Sequence, residues 1–206
     1  MKHFLSHTDK HEIAEAIRSV ELRTQGELVT VIARQSDQYL YIPTLWATLI
    51  ALALPGIIEM LAVPDLMRHA YAIQFGSFLL LAVLFRWPPI TMRLIPKAVK
   101  QQRAHRVAVE QFYRQNLHHT EGRTGVLLFV SVAEHYVEII ADKGINEVVS
   151  TAQWDGIVQA FIQRVKAKQV KAGFTESIHA VGAILAQHFP AAPGDRNELP
   201  NHLIEL

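Results

Sequence analysis

Four residues have the types and spacing to do chemistry together: Glu27, Arg123, Thr124 and Asp142. Glu27 precedes a short β-branched run, LVTVIA; Thr124 precedes a second apolar run, GVLLFVSV; Asp142 closes a third, YVEIIAD. If the first two runs are parallel strands and the third runs back, all four residues fall on one sheet edge. There the Glu27 and Asp142 carboxylates can bind Ca2+ or Mg2+ and position a phosphate ester, with Arg123 and Thr124 against the substrate. Two counterweights stand beside this. Asp142-Lys143-Gly144 supplies turn chemistry with no further function, and calcium takes about six to eight oxygens, more than two carboxylates offer.

Other chemistries are thinner. The chain has no cysteine, which removes disulfides, thiolate zinc sites and a cysteine nucleophile together. Among eleven histidines, His7 and His11 stand four apart, His118 and His119 adjoin, and His135 and His188 stand alone. No carboxylate lies at ligand spacing near any pair, so no zinc site is expected. No G-x-x-x-x-G-K-[ST], G-x-G-x-x-G or G-x-S-x-G motif occurs, which argues against nucleotide hydrolysis and serine-hydrolase chemistry. Lys+Arg 20 against Asp+Glu 19 gives a net charge of +1, no footprint for nucleic acid.

The elements that must hold the four residues follow from periodicity. Asp9 and Glu12 mark a helix start, with Ile13, Ala16, Ile17 and Val20 repeating until Gly26. Strands are expected over 28–33, 125–132 and 136–142, the last two joined by a turn at Ala133–His135. Pro96 opens a long helix with Ala104, Ala108 and Phe112 on one face, closing at Gly122. Trp154, Ile157, Val158, Phe161, Ile162 and Val165 give an amphipathic helix; Gly173 separates it from a last one carrying Phe174, Ile178, Val181 and Leu185. The tail, 191–206, reads as a surface segment. This order implies a small mixed sheet covered by helices on its faces, the first two strands parallel through a right-handed crossover.

That domain, residues 1–41 and 91–190, is interrupted by greasy sequence. Apolar residues make up 50% of the chain and charged ones 19%, and the deficit of charge lies in 42–63, which holds only Glu59, and 70–90, which holds only Arg86. As a helix, 42–63 would be about 33 Å long, enough for a hydrocarbon core of about 30 Å. The second segment is shorter, but Arg86 can snorkel and Trp87 can sit at headgroup level. Six residues join them, so 42–90 is expected to be a two-helix transmembrane hairpin. Glu59 lies near a span end, within reach of interfacial water. Basic residues cluster after the second span, while the connecting turn has only Arg68, which puts both termini in the cytoplasm. MKHFLSHTDKHEI carries no apolar signal region, so a tethered cytosolic domain is expected. Lys97, Lys100, Arg103 and Arg106 are candidates for contact with anionic headgroups on the bilayer surface. The four-residue edge should face away from the bilayer, because the spans leave near the other end of the first strand.

AIRSVELRTQGELVTVIA (Ala16 to Ala33), RTGVLLFVSVAEHYVEIIADKGI (Arg123 to Ile145) and AVGAILAQHFP with NELPN resemble the TPM-domain family, over roughly 4–34 and 91–201. That resemblance implies a three-layer α/β/α sandwich in a bacterial inner-membrane protein. It also implies one of two functions. Some members are acid phosphatases with a bound divalent cation; others are assembly, repair or receptor-accessory factors. The cation-binding positions would fall on Glu27 and Asp142, with Arg123 where a further acid could have completed a cage. The expected function is a membrane-anchored accessory module with a membrane-protein partner; the alternative is a divalent-cation-dependent phosphatase.

Overall fold

The computed structural model describes residues 5–61, 64–192 and 198–206. In chain order the elements are α1 (His7–Glu21), β1 (Glu27–Ala33), α2 (Tyr41–Met60), α3 (Pro64–Met67), α4 (Ala70–Leu84), α5 (Pro88–Leu94), α6 (Lys97–Arg114), β2 (Gly125–Ser131), β3 (Tyr136–Ala141), α7 (Lys143–Asn146), α8 (Thr151–Lys166), α9 (Val170–His188) and β4 (Leu203–Glu205). They form two compact units, Met1–Ser36 with Arg103–Leu206, and Asp37–Gln102.

The first unit is a mixed α/β fold. Its four-stranded sheet has the order β3-β2-β1-β4. β1 runs parallel to β2, Glu27 opposite Gly125 and Ala33 opposite Ser131; β2 and β3 form an antiparallel hairpin. Side chains alternate across the strands. Leu28, Ile32, Val126, Leu128 and Val130 pack in one core with Ile13, Ile17, Phe161, Phe174, Ile178 and Val181 of α1, α8 and α9. Val29, Val31, Leu127 and Phe129 pack in a second core with Ala104, Ala108 and Phe112 of α6.

Several boundaries move, each for a local reason. α1 starts at His7 because Ser6 is its cap. Ser6 Oγ accepts from Asp9 N (3.1 Å) and Asp9 Oδ2 accepts from Ser6 N (2.9 Å), so Asp9 is the third helical residue, not the first. α6 stops at Arg114, not at Gly122, because Asn116 turns left-handed (φ 59°); two 3-10 turns, Leu117–His119 and Glu121–Arg123, fill the interval. The break between α8 and α9 falls at Lys168 (φ 61°), and Gly173 lies inside α9. The tail contributes a strand: β4 pairs parallel with β1, Thr30 opposite Leu203.

The second unit holds the apolar helices. α2 is long and apolar enough to cross a membrane. The expected second span does not run on to 90. α4 ends at Leu84 and α5 departs from it at 103°. Pro88 has no N–H to continue α4; at the break a side chain serves the Phe85 carbonyl, while Trp87 O accepts from Ile90 N (2.9 Å) and Thr91 N (3.0 Å). The buried Thr91 hydroxyl lies 2.6 Å from Phe85 O and 3.2 Å from Trp87 O. Buried Tyr39, Ile42 and Ile95 close the base of the unit, with Met92 and Val99 against them.

One contact sets how closely α1 and α9 approach. A Cβ added to Gly182 would stand 2.4 Å from Val20 Cγ1 and 2.5 Å from Cγ2. Val20 is itself fully buried in the core and has nowhere to retreat. Gly182→Ala is expected to cost about 1–3 kcal/mol through overpacking, read as a lowered Tm. An unchanged Tm would show that the two helices can separate freely.

Candidate functional site

β1, β2 and β3 bring the four predicted residues to one edge of the sheet. Glu27 N donates to Thr124 O (3.2 Å), and Asp142 N donates to Gly125 O (2.9 Å). Glu27 and Asp142 therefore flank the start of β2 rather than face each other, two strand spacings or about 10 Å apart along the backbone. By alternation both share the α6 face with Gly125 between them. That space is taken: a Cβ on Gly125 would stand 2.3 Å from Leu117 O. The backbone of the first 3-10 turn thus lies over Gly125, between the two carboxylates.

Each carboxylate has its own local employment. Glu27, 5% exposed, accepts from Glu198 N at Oε1 (2.9 Å). Asp142, 8% exposed, caps α7, its Oδ1 accepting from Lys143 N (2.7 Å). Asp142 Oδ2 is buried and accepts no hydrogen bond. The buried Thr124 hydroxyl lies 3.0 Å from Gln25 O and 3.1 Å from Glu121 O, carbonyls to which it donates. Arg123 is exposed and left-handed (φ 55°). Among the described residues, no group of three or more His, Asp or Glu is arranged to hold a metal ion. Asp142 Oδ2 is one of two buried carboxylate oxygens at this edge, with Glu27 Oε2, that accept no hydrogen bond from the described residues and that a cation could satisfy.

Two further acids stand here that no sequence pattern marks. Glu21, at the end of α1, accepts from Leu28 N (3.1 Å) and bonds to Asn201 Nδ2. Burial, with the neighbouring Glu27 charge adding to it, pushes its carboxyl up to about 8 against the opposing Leu28 N–H bond. Glu198 reaches the edge from the tail, its carboxylate accepting from Glu121 N (3.1 Å). Both depend on where the C-terminal segment lies, which no periodicity marks.

Two other polar clusters escaped the sequence. At the opposite end of β1 and β2, Glu134 accepts from Ser36 N (3.0 Å) and from the Ser131 hydroxyl, and Ser36 Oγ lies 2.7 Å from Ser131 Oγ. On the α6 face, His105 Nδ1 lies 2.9 Å from Glu138 Oε1, and the Tyr136 hydroxyl donates to Glu138 Oε2 (3.0 Å). Burial, then the Glu138 charge, pushes the Tyr136 hydroxyl well above its usual range.

The four expected membrane-surface cations do not form one stripe. A step of three residues turns a helix by about 300°, so Lys97 and Arg106 lie on opposite sides of α6. Lys97 and Arg106 are exposed, Lys100 donates to Met92 O (3.1 Å), and Arg103 is half-buried.

Residues 90–184 match the family model of the TPM domain. Over that stretch the chain is similar to the TPM-domain family. No curated protein matches it. The NMR structure of the BA42 protein from the psychrophilic bacterium Bizionia argentinensis is similar to it, with a TM-score of 0.64 and 22% identity over 100% of this chain and 98% of that one. At that identity the likeness speaks for the fold. The TPM match takes in Arg123, Thr124, Asp142 and Glu134. Glu27 and the whole of β1 lie outside it, as does β4, so the edge is assembled from matched and unmatched sequence.

The raised Glu21 carboxyl makes the TPM domain sensitive to pH. An unfolded Glu21 ionises near 4.5, while the folded one keeps its proton to about 8. Between those values the folded state binds more protons, so this contribution is present below pH 4.5 and lost as pH rises through 8. A Tm series from pH 5 to 8 should show a decline that Glu21→Gln flattens; parallel curves for the two proteins would contradict the assignment.

Proposed function

We propose that this TPM-domain protein is anchored in a bacterial inner membrane by α2 and α4, with both termini in the cytoplasm, and that its α/β unit is an accessory module in the assembly, repair or turnover of membrane proteins. The observation that carries the reading is what α2 and α4 leave uncovered. Leu52, Phe75, Leu80 (68%) and Val83 (74%) are exposed on helices that carry a single Asp, Glu, Lys or Arg, Glu59. Such surface is stable in hydrocarbon and an aggregation liability in water. At about 22 Å, α4 is short for a span, a mismatch that local thinning of the bilayer accommodates at modest cost. A partner among membrane proteins fits a domain tethered beside them.

The natural absence of cysteine supports a direct test of topology. Single cysteines at Lys10 and Asp65 of the full chain, in bacterial cells, should differ in labelling by an impermeant thiol reagent: Asp65→Cys labelled in intact cells, Lys10→Cys only after lysis. The chain should also stay in the membrane pellet through alkaline carbonate. Release by carbonate, or labelling of Lys10→Cys in intact cells, would overturn the anchored topology.

A second reading rests on Asp142 Oδ2, buried without a hydrogen bond. Asp142 would hold a divalent cation at that oxygen, Glu27 lying on the far side of the Leu117 backbone, and the cation when bound would polarise a phosphate ester. Arg123, exposed at the same edge, is placed to meet an anionic substrate. Calcium or magnesium should then raise the Tm saturably. Asp142→Asn keeps a good helix cap and should lose that shift while remaining folded. A flat titration of the folded native protein would sink the phosphatase.

A further inference from the structure

Three exposed cations lie along the chain at the bend between α4 and α5. Arg86 and Trp87 are exposed at the elbow, Arg93 on α5, and Lys97 at the start of α6. None of the three cations makes an ion pair among the described residues. No acidic residue occurs between Asp65 and Glu110 to neutralise them. The elbow is also held in shape. Thr91 bridges the carbonyls of Phe85 and Trp87, Lys100 Nζ donates to Met92 O, and Ile95 is buried beside Tyr39.

This geometry has a physical consequence if α4 crosses the bilayer. A helix that leaves a span at 103° runs along the interface. Exposed Trp87 then sits at headgroup level, where amphipathic rings collect. Arg86 and Arg93 present planar guanidinium forks suited to phosphate oxygens, and Lys97 adds a point charge. The short α4 brings this cluster close to the glycerol and phosphate layer instead of out into water.

We propose that the α4–α5 elbow binds anionic phospholipid headgroups through Arg86, Arg93 and Lys97, with Trp87 seated beside them. The inference rests on the membrane-anchored reading and replaces the α6 stripe with a site at the bend. It gives the hairpin a preferred lipid and fixes the depth of the elbow.

The test uses the full chain in neutral detergent, titrated with phosphatidylglycerol or phosphatidylcholine of identical acyl chains and read by native mass spectrometry. At low salt, phosphatidylglycerol should bind on the order of a hundredfold more tightly, from about fivefold per cation near the surface. Each of Arg86→Gln, Arg93→Gln and Lys97→Gln should lose about fivefold, and the triple variant should bind the two lipids alike. The preference should shrink as salt is raised. Equal binding of both lipids by the native protein, or an intact preference in the triple variant, would overturn the site. Displacement of phosphatidylglycerol by millimolar inorganic phosphate would mark a free-anion site and overturn the lipid assignment. Carbonate extraction separates the two levels: a native chain that resists extraction yet shows no lipid preference defeats the elbow alone, whereas a chain released by carbonate defeats the anchored reading and the elbow with it.

Discussion

The structure depends on keeping β1 wet by nothing but protein. All seven residues from Glu27 to Ala33 are buried, and a buried strand must find partners for its N–H and C=O groups on both sides. β2 supplies one side from far along the chain and β4 the other, from the last residues. Parallel pairing of β1 with β2 demands a crossover connection, because a tight turn cannot reverse the chain twice. α6 provides the covering element of that crossover. Loop-closure entropy rises only slowly with length, so the connection can also carry the whole of Asp37–Gln102 without undoing the pairing.

The same demand shapes the candidate edge. β1 needs β4, and β4 is only three residues long. Side chains hold the approach to it. Glu27 accepts from Glu198 N, Glu21 takes the Asn201 amide, and Lys10 pairs with Glu205 at 2.8 Å. Carboxylates that an edge of this kind could use as metal ligands are here engaged with the C-terminal segment. The high affinity of Glu21 for its proton has the same origin, since burial beneath that segment disfavours the charge. What remains for chemistry is one oxygen each of Asp142 and Glu27 and the exposed Arg123, a sparse set beside the ligand shell calcium takes.

How much of this was legible in the sequence depends on whether the signal was local. β1, β2 and β3 announce themselves as short apolar, β-branched runs, and their directions follow from the connections, so the shared edge of Glu27, Thr124 and Asp142 could be read in advance. β4 could not: Leu-Ile-Glu is too short for a period and lies in a Pro-rich tail. With β4 went Glu198, Asn201 and the role of Glu21. The distance between Glu27 and Asp142 was also hidden, because it is set by the Leu117 carbonyl packed on Gly125, a backbone contact that leaves only a glycine as its trace. Helix ends moved where a single left-handed residue, Asn116 or Lys168, cut a pattern that hydrophobic spacing would have continued.

The apolar segment shows how composition and geometry divide the work. Hydropathy alone marks 42–63 and 70–90 as two similar stretches, yet α2 continues past Pro55 as one helix while the second breaks at Trp87-Pro88. The difference is what replaces the lost backbone bonds. In a hydrocarbon setting every freed carbonyl needs a partner, and at the second break the Thr91 hydroxyl supplies one to Phe85 O while Trp87 O accepts from Ile90 N and Thr91 N. A turn satisfied from within can lie at the membrane boundary without drawing water inward. In the anchored arrangement proposed above, that would let the chain leave the apolar layer after the fifteen residues of α4, turn along its surface, and set Arg86, Trp87 and Arg93 there before α6 begins.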